Sequence, residues 1–339
     1  MNEIQLHEKT WRALQARRDK LPHALLLIGQ KGQGKAALAR AFAASLLCEQ
    51  PKTDGQACGQ CLACNWFGQG NHPDFRCLQP DALSEDAEAE EGKKKASQQI
   101  TIDQVRGLDD FLNVGTHRDG LRIILVNPAE AMNRNTANAL LKTLEEPAPS
   151  TLFLLVSNEP LKLLPTIRSR CQSVPIPLPS AALAVAALNA AGIADAARWL
   201  ALVGGAPGLA AELAGSGQGA WLELLVKRLS TGGRLDPLQA AAELDKAVKD
   251  AKGRLTLKMI VDALQKWLID LTLVANAQSP RYFLPQAATI DGLAAMIPAT
   301  RLIRFYRDVI KRRQEAEQPL NARLFLEGIF LDYRALFAR

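Results

Sequence analysis

Short apolar runs alternate with helical patterns in the first half of the chain. Uninterrupted apolar runs predict three buried strands, over residues 24–28, 122–126 and 152–156. Apolar residues at helical spacing predict helices over residues 36–47 and 135–146, each following a strand. Strands that alternate with helices in this way indicate an α/β fold with a parallel sheet.

The second half lacks strand signals, and its Ala- and Leu-rich sequence has helical spacing. One predicted helix face repeats at intervals of three and four residues and consists of Leu302, Phe305, Tyr306, Val309 and Ile310. Three prolines mark a linker between the halves: Pro175, Pro177 and Pro179. The second half is therefore predicted to be all-α, and a length of 339 residues corresponds to two or three domains.

Residues 29–35 read Gly-Gln-Lys-Gly-Gln-Gly-Lys between the first predicted strand and its helix. This spacing, in this context, is typical of a phosphate-binding P-loop. Backbone N–H groups around Gly29, Gly32 and Gly34 would surround phosphate oxygens, and Lys35 would reach the terminal phosphates. The loop predicts a P-loop fold and a candidate nucleotide site.

Three chemical parts of a nucleotide-hydrolysing site are missing. Ala36 replaces the Ser or Thr whose hydroxyl binds Mg²⁺ in such loops. Asn127 and Pro128 stand where the second motif needs a metal-binding Asp and a catalytic Glu. We therefore predict that the chain does not hydrolyse nucleotide. Weak nucleotide binding stays open beside the favoured interpretation, a loop kept as a fold element.

Four cysteines lie close together in the sequence. Cys58, Cys61 and Cys64 are separated by two residues each in a Gly- and Gln-rich turn. With Cys48 they supply four thiolates, the ligand set of a tetrahedral structural zinc site with no open position. His72 is the alternative fourth ligand, but Cys48 is favoured because it ends the helix after the phosphate loop.

The composition, with 48% hydrophobic and 22% charged residues, excludes a disordered or fibrous chain. No apolar run near the N-terminus approaches the roughly 20 residues of a membrane span, and the polar first residues do not resemble a signal peptide. We therefore expect a cytoplasmic protein that makes no membrane contact and keeps its cysteines reduced.

The formal net charge of +6 combines two charged segments of opposite sign. Residues 81–91 hold six acidic side chains and no basic one, which predicts an exposed, flexible acidic loop over residues 81–97. Residues 301–313 hold six basic side chains and one acidic one. We interpret this basic segment as the solvated side of a helix; contact with DNA or an acidic partner is the alternative.

Two further motifs allow a family to be named. Residues 135–147 read Asn-Thr-Ala-Asn-Ala-Leu-Leu-Lys-Thr-Leu-Glu-Glu-Pro, and Ser169-Arg170-Cys171 follows the third predicted strand. With the phosphate loop and the four cysteines, these residues resemble a bacterial clamp-loader subunit of the AAA+ family. Residues 204–208 contain no basic residue where related ATPases place a nucleotide-sensing Arg. The chain therefore resembles a non-hydrolysing subunit rather than the ATP-hydrolysing tau/gamma subunit.

The resemblance implies a three-part architecture. Residues 1–175 would form an AAA+ (RecA-like) P-loop α/β domain with a zinc module inserted at residues 48–64. Residues 176–213 would form a small helical lid, and residues 214–339 an all-α collar that holds subunits together.

The resemblance also implies a role in DNA replication, as a component of the DNA polymerase III holoenzyme, itself a DNA-directed DNA polymerase. The expected partners are the tau/gamma ATPase subunits and delta in a hetero-oligomeric ring, with the sliding clamp and primed DNA reached through the complex. Arg170 would act as an arginine finger in trans on a neighbouring ATP site. A surface salt bridge is the alternative for Arg170, and Arg168 lies close enough to be confused with it.

Two other functions stay open at this point. One is a self-sufficient P-loop ATPase with unusual metal ligands, which the missing Mg²⁺ and base residues oppose. The other is a zinc-dependent nucleic-acid-binding module, which the lack of interleaved basic and aromatic residues around residues 58–64 opposes.

Overall fold

The chain folds into two compact units, residues 1–180 and 181–339. The computed structural model describes residues 3–83, 97–113, 115–116, 120–215, 219–251, 253 and 255–338. Most of the predicted acidic loop, residues 84–96, lies outside the described residues. Its first residue, Asp81, begins a 3₁₀ turn that ends at Leu83.

A five-stranded parallel sheet forms the centre of the first unit, with the strand order β2-β3-β4-β1-β5. The strands are β1 Ala24–Ile28, β2 Phe75–Leu78, β3 Arg122–Val126, β4 Thr151–Ser157 and β5 Gln172–Pro175. The three predicted strands are confirmed as β1, β3 and β4, the central strands. All residues of β3 and β4 are buried, as expected of strands covered on both faces.

The two edge strands, β2 and β5, were missed by the sequence prediction. In β2 only Phe75 and Leu78 are buried, and no residue of β5 is. A short strand with few buried residues gives no apolar run, so its sequence resembles a loop. Pro175, assigned above to the linker, instead ends β5.

Helices cover both faces of this sheet. They are α1 Glu3–Leu6, α2 Glu8–Gln15, α3 Lys35–Leu47, α4 Leu62–Gly68, α5 Ile102–Asn113, α6 Arg134–Glu145 and α7 Pro165–Arg170. Side chains alternate across a strand, so Leu25 and Leu27 pack with Phe42 of α3 while Leu26 packs with Leu140 of α6. Both predicted helices, α3 and α6, are present within one residue of their expected starts and ends.

The described residues of the second unit form helices, connected by turns and 3₁₀ segments. The helices are α8 Ala181–Ala190, α9 Ala196–Leu202, α10 Pro207–Gly215, α11 Gly219–Leu229, α12 Pro237–Asp250, α13 Leu257–Ala275, α14 Ala287–Ala294, α15 Ala299–Glu315 and α16 Ala322–Ala335. The all-α prediction is therefore confirmed for this part of the chain. One hydrophobic cluster lies among α8–α10, and a larger one lies mainly among α11–α16. The boundary between a lid and a collar stays a prediction.

Three buried polar side chains, Trp267, Asp270 and Tyr333, hold the larger cluster in a defined arrangement. Trp267 Nε1 donates to the hydroxyl of Tyr333 at 3.1 Å, and that hydroxyl donates to the Leu229 carbonyl at 2.9 Å. The fully buried Asp270 accepts the backbone N–H groups of three consecutive residues, Arg281, Tyr282 and Phe283. These bonds satisfy groups whose burial would otherwise be costly.

The predicted apolar face of α15 is largely correct. Leu302, Phe305 and Val309 are buried, whereas Ile310 is 41% exposed and so does not belong to the core. Across the described residues, none of the helices combines the length and apolar character that a membrane crossing needs.

Candidate functional sites

The phosphate loop has the backbone shape that its sequence predicted. It leaves the end of β1 and enters α3 at Lys35. Gly32 and Gly34 have φ values of +77° and +93°, a left-handed conformation that strongly favours glycine. The strand–loop–helix arrangement of a P-loop is thus present.

Lys35, however, is bound to its own chain. The side chain is buried, and its Nζ donates to the Gln30 carbonyl at 2.6 Å and to Asn158 Oδ1 at 2.8 Å. Burial lowers the pKa of Lys35 from 10.5 to about 8, because desolvation disfavours the ammonium, although nearby Glu130 opposes the shift. The lysine expected to reach phosphates is therefore used inside the protein.

Glu130 was not predicted as part of this site. Its Oε1 accepts the main-chain N–H and the side-chain amide of Asn158, each at 2.9 Å. Glu130 lies in a 3₁₀ turn after β3, while Asn158 follows β4, and these strands are neighbours in the sheet. The sequence signal for this contact was a single acidic residue shortly after a predicted strand. Its partner, Asn158, could be identified only once the order of the strands in the sheet was known.

The N-terminal segment covers the phosphate loop. Nε2 of the buried His7 lies 2.7 Å from the Gln33 carbonyl oxygen. The Gln33 side chain is also buried and donates from Nε2 to the Ile176 carbonyl at 3.2 Å. A Cβ on Gly29 would lie 2.1 Å from Gln33 Oε1, so this side chain occupies the space beside the first glycine.

The four predicted cysteines come together in space. Their sulfur atoms all lie within 4.8 Å of one another, an arrangement that could hold a metal ion. Two sulfur pairs, Cys48–Cys61 and Cys58–Cys64, are separated by 3.9 and 3.8 Å. A tetrahedral Zn²⁺ with ~2.3 Å Zn–S bonds requires sulfurs ~3.8 Å apart. The sulfur spacing therefore fits a tetrahedral metal.

Backbone N–H groups donate to sulfur atoms of this cluster and favour the thiolate form at Cys58, whereas burial raises the pKa of Cys48 and of Cys64. Cys58 N–H donates to Cys48 Sγ at 3.2 Å, and Cys64 N–H donates to Cys61 Sγ at 3.4 Å. The N–H groups of Gln60 and Cys61, which donate to Cys58 Sγ, lower the pKa of Cys58 to about 6.

His72 lies outside the cysteine cluster. Its Nδ1 accepts the backbone N–H of Asp74 at 3.1 Å, and its ring packs edge-on against Trp66. The structure therefore groups Cys48, and not His72, with the other three thiols.

Arg170, at the end of α7, forms an ion pair within its own chain. Its Nη2 lies 2.6 Å from Glu145 Oε1, and its Nη1 donates to the Thr166 carbonyl at 3.0 Å. The side chain is 34% exposed. The salt bridge considered as the alternative is thus present, while the arginine-finger role stays a prediction. Arg168 is exposed on the same helix.

Comparison with known protein families adds evidence independent of this geometry. The family described as "DNA polymerase III, delta subunit" matches residues 6–180, which is more than half of the chain. The chain belongs to this family. The clamp-loader resemblance of the sequence motifs is thereby confirmed at the level of the family.

Relatives named as the delta-prime subunit share extensive sequence similarity with this chain. "DNA polymerase III subunit delta'" of Pseudomonas aeruginosa is 44% identical over 199 residues, 58% of this chain and 56% of that protein. The protein of the same name from Escherichia coli is 37% identical over 150 residues, 44% of this chain and 41% of its own length. The matched part of the chain thus spans about half the length of these relatives.

Members of other named subunit types also match. "DNA polymerase III subunit tau" of Bacillus subtilis is 31% identical over 153 residues, 45% of this chain and 24% of that protein. A crystal structure of a gamma subunit-related protein from Thermotoga maritima aligns with 97% of this chain and 99% of its own. That alignment has a TM-score of 0.46 and 19% identity.

Proposed function

We propose that this chain is a delta-prime-like, non-hydrolysing subunit of the bacterial clamp loader, working in the cytoplasm within the DNA polymerase III holoenzyme. In this role it helps to load the sliding clamp onto primed DNA. The observation that carries the proposal is a phosphate loop with its glycine conformations intact but its lysine bound to Asn158. The names of the relatives support the same assignment.

The chain's own phosphate loop does not turn over nucleotide in this proposal. Ala36 offers no hydroxyl for Mg²⁺, and Asn127 offers no carboxylate. Two of the three N–H donors of Lys35 Nζ are already used by the Gln30 carbonyl and Asn158 Oδ1, which hold the side chain within its own chain. The loop serves instead as a fixed part of an AAA+ domain, followed by the helical lid and collar.

Arg170 supplies an arginine finger in trans to the neighbouring ATPase subunit. Its guanidinium is partly exposed at the end of α7, and its present partners are one carboxylate and one carbonyl near the surface. An arginine that reaches a neighbour's γ-phosphate neutralises charge in the transition state, an effect worth ~10³–10⁵ in rate in other systems. Glu145 holds the side chain until a neighbour is present.

The cysteine cluster binds a structural zinc ion through Cys48, Cys58, Cys61 and Cys64. The sulfur spacing supports this assignment, and four protein ligands leave no position for a substrate. Because Cys48 follows α3 and Cys61 precedes α4, the ion would tie the ends of these helices together.

The last two helices supply contacts to tau/gamma and delta subunits in a hetero-oligomeric ring. On α15, Ile303 and Ile310 are 46% and 41% exposed, and on α16 Leu324 and Leu331 are 65% and 45% exposed. Each pair is seven residues apart, so each lies on one side of its helix. Exposed apolar side chains in this arrangement suit a protein interface.

The purified chain tests the central part of this proposal through ATP turnover and DNA binding. We expect no ATPase activity, with or without DNA. Turnover that disappears in Lys35→Ala would contradict the proposal and favour a self-sufficient ATPase. Salt-dependent DNA binding by the chain alone, weakened by zinc removal, would favour a nucleic-acid-binding module instead.

The arginine finger has its own test in a loader reconstituted with ATPase subunits. Arg170→Ala is expected to lower DNA-stimulated ATP hydrolysis at the adjacent site by at least tenfold, since transition-state charge is then left unneutralised. Arg168→Ala, two residues away on the same helix, is the matched control and should change the rate little. Normal hydrolysis with Arg170→Ala would remove the finger assignment.

A further inference from the structure

A polar network connects the phosphate loop to the segment that leads to α7. Lys35 Nζ donates to Asn158 Oδ1 at 2.8 Å. Glu130 Oε1 accepts both the main-chain N–H and the side-chain amide of Asn158 at 2.9 Å. The side-chain oxygen and nitrogen of Asn158 are thus both used, by residues from two other parts of the unit.

The segment after Asn158 is short and anchored. A 3₁₀ turn at Pro160–Lys162 is followed after two residues by α7. Leu163 and Ile167 are 5% and 0% exposed and belong to the core cluster that also contains Leu140 of α6. A displacement of Asn158 therefore cannot be absorbed by a long loop before it reaches Arg170.

The buried lysine is costly to keep in a loop that has lost the other parts of its nucleotide chemistry. Desolvation of the buried ammonium lowers the pKa of Lys35, and the nearby Glu130 offsets this penalty only in part. An apolar side chain would avoid the cost. Buried polar networks are in some proteins retained for conformational specificity rather than for stability.

We propose that Lys35, Asn158 and Glu130 are positioning residues that fix the orientation of α7, and with it of Arg170, toward the neighbouring ATP site. This inference rests on the proposed finger role of Arg170. In this role Lys35 makes a structural contact within its own chain. It holds the end of β4 and the following segment in place without nucleotide bound to this chain.

The test uses a reconstituted loader in which only the ATPase subunit next to this chain keeps an intact phosphate loop. ATP hydrolysis is measured as kcat and KM with Lys35→Met, Asn158→Ala and Glu130→Ala. Each variant is expected to lower kcat at least fivefold while KM for ATP stays within twofold. Glu130→Gln keeps the accepting oxygen and should retain most of the rate. Lys31→Met, which removes an exposed lysine from the same loop, is the matched control.

A double variant separates positioning from general damage. Adding Lys35→Met to Arg170→Ala should lower kcat no further, because the lysine acts only through the arginine. Gel filtration of each loader and melting of each variant subunit confirm assembly and folding. Should Lys35→Met misfold, the Glu130→Ala and Glu130→Gln pair, combined in the same way with Arg170→Ala, decides the question.

The possible results distinguish this inference from the proposed function. If Arg170→Ala lowers kcat but Lys35→Met and Glu130→Ala do not, the positioning role is wrong and the finger role stands. If Arg170→Ala itself has no effect, the finger role is wrong and the positioning role falls with it. A further loss of rate when Lys35→Met is added to Arg170→Ala would also overturn the positioning role.

Discussion

The phosphate loop and the cysteine cluster are both short motifs in the same unit, but they preserve different things. The loop preserves a backbone shape, with Gly32 and Gly34 at positive φ, while Lys35 is bound inside the chain. The cluster preserves ligands, with four sulfurs at a spacing that fits a metal. The comparison teaches that a motif's geometry and its chemistry can be lost separately. The contacts of the Lys35 side chain therefore have to be known before a phosphate-binding role is assigned to it.

The largest effect is expected at the cysteine cluster. Cys58→Ser removes one metal ligand from a partly exposed position, so packing changes little while metal binding is lost. Zinc at about 1,000 times its Kd stabilises the folded chain by about 4 kcal/mol, so its loss should lower the Tm by roughly 10 °C. Calorimetry and zinc content per chain measure both changes.

Cys77→Ser is the control for this substitution. Cys77 is also partly buried but lies outside the cluster, so zinc content and Tm should stay close to those of the unaltered chain. Equal zinc content in Cys58→Ser and the unaltered chain would show that the four thiols are not a metal site.

A smaller, pH-dependent effect is expected at Lys35. Its pKa is about 8 in the folded chain against 10.5 ordinarily, so between these values the unfolded chain binds more protons. The contribution of Lys35 to the free energy of unfolding therefore rises as pH increases from 8 toward 10.5 and is lowest below pH 8.

Urea unfolding at pH 7.5 and pH 9.5 measures this dependence. Relative to Lys35→Met, the unaltered chain should gain about 2 kcal/mol over that interval. If the unaltered chain and Lys35→Met differ in free energy of unfolding by the same amount at both pH values, Lys35 is not desolvated in the folded chain.

The smallest effect is expected from restoring the missing metal ligands. Ala36→Thr combined with Asn127→Asp supplies the hydroxyl and the carboxylate that the loop lacks. ATPase activity should stay at background, because Lys35 remains bound to Asn158 and no base is restored. Phosphate release by the purified double variant is the measurement. A clear gain in ATP turnover would show that the missing metal ligands alone account for the lack of ATPase activity.

Some features of this molecule could be predicted from its sequence, and others could not. The central strands and the cysteine cluster were predictable because their signals are local: a run of apolar residues, or ligands a few positions apart. The edge strands β2 and β5 were not, because partial burial leaves no apolar run. The role of Glu130 depends on β3 and β4 being neighbours, which is a property of the sheet. Likewise, the ion pair between Arg170 and Glu145 joins two helices that a strand separates in sequence.

Clamp loading tests the central claim most directly. A loader reconstituted from ATPase subunits and delta, with and without this chain, is supplied with a fluorescent sliding clamp, ATP and primed DNA. We expect the rate at which clamps become closed on DNA to fall at least tenfold without the chain and to recover when the chain is added. An equal loading rate in its absence would contradict a clamp-loader role.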